Sequence, residues 1–160
     1  MNLIRIEDYR KMYREGTQYL QTAVRAHACR RDIFTPEILY NLAAMAIEKF
    51  FMSFLMYNCD MADNHTMRDL IDSVHRHADL DRSLEGRLLY LDTFQQICDL
   101  DGFSITSPAE KDIPTILETA AAVKEFVDAR ITGHRDGRIY GNDIDQTAGD
   151  RINMVNPPAG

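Results

Sequence analysis

Residues 39 to 58 read LYNLAAMAIEKFFMSFLMYN, the most apolar run of the chain, with Glu48 and Lys49 side by side in its middle. As a helix, about 20 apolar residues are long enough to cross a bilayer. Asn41, Glu48, Lys49 and Ser53 interrupt this run, and a charge near the bilayer centre costs about 2.5–3.5 kcal/mol on insertion scales. Burial in a helical bundle is cheaper. The run therefore predicts a core helix, central to its bundle, and no membrane span. Neighbouring helical residues differ in direction by about 100°, so Glu48 and Lys49 cannot leave through one narrow solvent stripe. In one reading Lys49 extends its stem to the surface and Glu48 pairs with a basic group of a flanking helix. In the other, both rim an interhelical cleft that takes a nucleotide, an RNA or a partner protein.

The rest of the chain is helical in pattern. IEDYRKMYREGTQYLQTAVRAHACRR places Ile6, Tyr9, Tyr13, Gly16, Leu20, Val24 and His27 on one face and Lys11, Arg14, Gln18, Gln21 and Arg25 on the other. Gly16 weakens the helix locally, which suggests close packing against a neighbour. Thr35, Pro36 and Glu37 announce the apolar helix as cap, first residue and acid at the positive end. NCDMADN should end it after Tyr57. Thr66 and Asp69 have capping-box spacing and open a short third helix. SLEGRLLYLDTFQQICDL predicts a fourth, with Leu84, Leu88, Leu91, Phe94 (or Gln95) and Cys98 inward. In SPAE, Ser107 caps, Pro108 opens and Glu110 closes the box of a fifth helix, whose apolar face runs Ile113, Ile116, Leu117, Ala120, Val123, Val127 to an end near residues 131–133. The expected fold is an all-α, up-and-down antiparallel bundle of four to five helices over residues 1–132. Residues 133–160 hold five of the eight glycines and no apolar period; they read as a tail or a partner-docked extension.

Composition narrows the function classes. The net charge of −7 divides into +4 over residues 1–31, with seven basic groups against three acidic, and −11 over the remainder. A basic first helix suits RNA or an acidic partner, with Lys11, Arg14 and Arg25 as candidate contacts, or is simply a solvated face. Cys29, Cys59 and Cys98 are widely spaced and form no C-x-x-C, which fits reduced thiols in the cytoplasm. The N-terminus carries charges from residue 5 and has no apolar signal region. No Gly-rich phosphate loop is present, and no cofactor is expected. His75 and His77 lie two apart and point to different sides of a helix, and Asp72 with His75 is only half a site, so no metal is expected.

The ordered features resemble HEPN domains, small all-α domains found beside or fused to nucleotidyltransferases. The matching positions are Ala43, Ala46, Glu48 and Lys49, then His65, Asp69 and Leu70, then Ser107, Glu110 and Ala120–Ala122, over roughly residues 5 to 131. The resemblance implies a homodimer or a nucleotidyltransferase partner, with nucleotide or RNA as ligand. It makes Glu48, Lys49, His65 and Asp69 candidate ligand or partner contacts. Many HEPN domains are metal-independent endoribonucleases of the toxin or defence type that use a late Arg-x(4–6)-His. In that chemistry His moves the proton and Arg stabilises phosphate charge. The equivalent stretch here, LLYLDTFQQICDLDGFS, has neither residue. Arg68 and His75 have the spacing one helix too early, and Arg130 and His134 are too close. The sequence thus reads as a non-catalytic interaction module, with an endoribonuclease using Arg68 and His75 as the alternative.

Overall fold

The computed structural model describes residues 6–30, 32–94 and 106–131, with side chains from Tyr9 onward. Among these residues it holds five α-helices and no strand: α1 (Ile6–Cys29), α2 (Pro36–Tyr57), α3 (Met67–His75), α4 (Arg82–Asp92) and α5 (Ile113–Asp128). Arg31, Gln95, Cys98, His134 and the expected tail 133–160 lie outside the described residues. So do the side chain of Ile6 and the lower boundary of the expected domain.

α2 is the axis of the molecule. It packs most extensively on α1, then on α5, and also meets α3. Twelve of its residues are buried, with Leu39, Ile47, Phe50, Phe51 and Leu55 fully so. It is the one helix among the described residues long and apolar enough to cross a membrane, and 61% of its most apolar window is buried inside the protein. That burial is what a core helix requires. Thr35 accepts the Ile38 N–H at 3.4 Å and Pro36 occupies the first turn, so the local start signals act as read. The far end closes with the Cys59 N–H on the Met56 carbonyl (3.0 Å) and the Asp60 N–H on that of Leu55 (2.8 Å). Cys59 is left-handed, φ 58°, where glycine is usual.

α1 runs antiparallel to α2, because Tyr9 meets Ser53 and Tyr57 while Tyr13 and Gly16 meet Phe50. A Cβ on Gly16 would lie 3.0 Å from the Phe50 ring and 3.2 Å from the Ala46 carbonyl oxygen. The glycine is therefore what allows the two backbones to approach here. Ser53 sits in this interface without loss, its hydroxyl donating to the Tyr9 carbonyl at 2.8 Å. The inward face departs from expectation at its C-terminal end: Val24 is 47% exposed, while Ala23 and Ala26 are buried. A stripe advancing in fours drifts about 40° per step around a 3.6-residue helix, so the face recovers by steps of three.

α3 and α4 are short and antiparallel. Thr66 accepts the Asp69 N–H at 3.2 Å and gives its hydroxyl to the Asp69 carboxylate. α4 starts from Asp81, whose carboxylate accepts the N–H groups of Ser83 and Leu84 at 3.0 and 3.3 Å. It ends earlier than the pattern predicts. Thr93 caps the Tyr90 carbonyl at 2.6 Å, and Phe94 turns in against Tyr40 and Tyr90, with centroids 5.5 and 5.2 Å away.

The fifth helix also starts later than SPAE suggests. Neither Ser107 nor Glu110 forms the expected box; the Asp112 carboxylate accepts the Ala109 N–H at 2.9 Å instead, over a 3₁₀ turn Glu110–Asp112. Pro114 explains the shift. It lacks an N–H and fits only the first turn, where it lies in α5. Ile113, Ile116, Ala120, Val123 and Val127 are buried as expected, and Phe126 joins them against Phe51 and Phe54.

Candidate functional site

Glu48 and Lys49 part company. Lys49 crosses to α1, its Nζ 2.8 Å from Glu15 Oε2 and 3.5 Å from Met12 Sδ. The Lys49 hydrogen bond holds the Glu15 carboxyl below its ordinary range against the opposing effect of burial. Glu48 turns the other way and meets His65 Nδ1 at 2.9 Å, just ahead of α3. The central pair thus links α2 to the helix on one side and to the entry of α3 on the other. His65 is 64% exposed at its side chain, and Asp69 is occupied by its own cap. The structure therefore brings Glu48 and His65 together, and places Asp69 one turn on as part of the α3 start.

Arg68 and His75 lie seven residues apart, two turns of one helix, hence on one face. Each is partnered across to α4, Arg68 Nε to Asp92 at 3.5 Å and His75 Nε2 to Glu85 at 3.4 Å. The pair aligns α3 with α4. Lys11, Arg14 and Arg25 are exposed along the outer face of α1. Lys11 stands 4.0 Å from Glu15, and Arg14 and Arg25 have no acidic partner among the described residues.

Three groupings were not visible in the sequence. Asp60 gathers His77 Nε2 at 2.7 Å, Arg76 Nε at 3.1 Å and the Met61 N–H at 2.8 Å, while Arg76 also reaches the Met61 carbonyl and Asp63. Burial alone would raise the Asp60 carboxyl; the His77 hydrogen bond, the Met61 N–H and the positive charge of Arg76 outweigh it and hold it low. The only local hint was the polar run between α2 and α3, and its closure depends on the left-handed turn at Cys59. On the opposite side, Tyr13 donates to Asp128, which also takes Lys124 Nζ at 2.6 Å. Burial, then the Asp128 contact, raises the Tyr13 phenol. Burial opposes charge on Lys124, yet its contacts to Asp128 and Tyr13 prevail and raise it. Tyr13 and Asp128 are 115 residues apart in the chain.

The third grouping is a groove of about 610 Å³ between the start of α4 and the end of α5, containing Arg87 and Arg130. Among the described residues no group of three His, Cys, Asp or Glu side chains is placed to hold a metal ion, and Cys29 and Cys59 are free thiols at the surface. No family model, curated protein or solved structure matches this chain. The likeness to HEPN domains rests on the residues quoted above.

Proposed function

We propose that the protein is a HEPN-like helical interaction module of the cytoplasm, non-catalytic, that works by docking another helical surface. The observation that carries this reading is the outward stripe of α2. Ile38, Asn41, Leu42 and Met45 lie along one side of α2 at i, i+3, i+4 and i+7, ahead of Glu48 and Lys49, and Ile38 and Met45 are 41% and 40% exposed on a helix with twelve buried residues. Such a seam is what a partner helix reads. The polar residues at its edge are engaged within the fold, which suits a contact surface better than a reaction centre.

The occupant is a second copy of the chain or a nucleotidyltransferase-type partner, and the basic face of α1 offers RNA or a nucleotide an electrostatic track. Light scattering after size-exclusion chromatography tests self-association: a dimer is expected, and Met45→Glu should return it to monomer. A wild-type monomer at high micromolar concentration would remove the homodimer. Arg68 and His75 sustain the endoribonuclease alternative only if they leave their acidic partners. Metal-independent cleavage of labelled single-stranded RNA, lost in His75→Ala, would overturn the non-catalytic reading.

A further inference from the structure

The groove between α4 and α5 holds a charge that the fold does not use. Among the described residues Arg87 Nε is buried without a hydrogen-bond partner, and Arg87 makes no ion pair. A buried donor left unmade is a standing cost to the folded state. By contrast, Arg68 on α3 and Arg76 just after it each face a carboxylate. Arg130 lines the same groove, its guanidinium carbon 3.7 Å from the Phe126 ring centroid and its Nη1 donating to the Phe126 carbonyl at 3.0 Å. Leu84 and Ala122 add apolar wall, and the carboxylates of Glu125 and Asp79 stand in the lining without a hydrogen bond or ion pair among the described residues. The third acid, Asp81, is spent on capping α4.

These features select a ligand. A guanidinium edge matches the two oxygens of a carboxylate. Phosphate is disfavoured, because its second negative charge would face Glu125 and Asp79. The same two acids accept an ammonium group, and the apolar wall needs an apolar body. The groove is open to solvent, and its volume of about 610 Å³ could take a small molecule against one wall. We infer that the α4–α5 groove binds a small zwitterion, an α-amino acid with an apolar side chain, with its carboxylate on Arg87, its ammonium toward Glu125 and Asp79, and its side chain along Leu84 and Ala122.

Calorimetry and thermal melts of the full chain with L-phenylalanine, phenethylamine, phenylpropionate and inorganic phosphate test this. Saturable binding of phenylalanine is expected, at least tenfold tighter than of either half-molecule, with no binding of phosphate. Arg87→Met should weaken phenylalanine at least tenfold while raising the melting temperature of the free protein, since it removes the unmet donor without emptying the site. A residue that only supported the fold would lower that temperature. Glu125→Gln should weaken phenylalanine and leave phenylpropionate unchanged. Absence of saturable phenylalanine binding at millimolar concentration, or binding undiminished in Arg87→Met, overturns the inference.

Discussion

The α1–α2–α5 half and the α3–α4 half of this protein are held together by different physics. In the first, aromatic rings interlock at 5.3–6.4 Å (Tyr9 with Tyr57, Tyr13 with Phe50, Phe51 and Phe54 with Phe126) around a helix whose largest side chains are fully buried. In the second, helices of nine and eleven residues bury seven apolar side chains and align by the Arg68–Asp92 and His75–Glu85 contacts, with the Asp60 cluster joining the end of α3 to the loop before it. Short helices offer less apolar face to fix their register, and polar contacts between them add to it. Dispersion and apolar burial bring large energies to the first half. Exposed ion pairs bring little energy but much geometry to the second.

The sharpest way to break the contrast is at its apolar end. Phe50→Ala opens a cavity where α1 meets α2 and should cost about 3–5 kcal/mol of unfolding free energy, read by urea denaturation. Gly16→Leu forces volume into the same contact and should cost about 1–3 kcal/mol. The helix propensity regained, roughly 1 kcal/mol, offsets only part of the clash, and an unchanged midpoint would show that Phe50 moves aside freely.

At the other end, Asp60→Asn keeps the shape but removes the charge that gathers Arg76 and His77. About 1 kcal/mol should be lost, with faster amide exchange in α3 and little change in α1. The pH dependence has a definite sign. A carboxyl held low in the folded state binds fewer protons than in the unfolded chain, so its contribution is present above the ordinary aspartate range, about pH 4. It disappears as the pH falls below that. The acid limb of wild-type stability should therefore be steeper than that of Asp60→Asn. Smallest of all, Arg68→Ala or His75→Ala should change stability by less than about 1 kcal/mol. A loss comparable to that of Phe50→Ala would mean that the charged half is not the weaker one.

Local chemistry explains what could be read without coordinates. Thr35 with Pro36, and Thr66 with Asp69, act within a single turn, so their meaning does not depend on the rest of the molecule. The apolar run 39–58 declares a core helix because no other environment suits its composition at low cost. Two local signals compete at the fifth helix: SPAE has the residues of a cap, but Pro114 four residues further on forbids that helix from continuing through it. At Val24 the apolar stripe shifts in phase, and Ala23 and Ala26 take the inward positions.

The all-helical class, the central place of residues 39–58 and the need for Glu48 and Lys49 to diverge were properties of the sequence alone, since each follows from short-range sterics or from the cost of burying charge. Which partners those two residues take, Glu15 and His65, was decided only by tertiary packing. So was the meeting of Tyr13 with Asp128 and Lys124, and the stranding of Arg87 in a groove between α4 and α5. A side chain's partner lies across an interface whose register is set by the sum of many contacts, and no local pattern carries that sum.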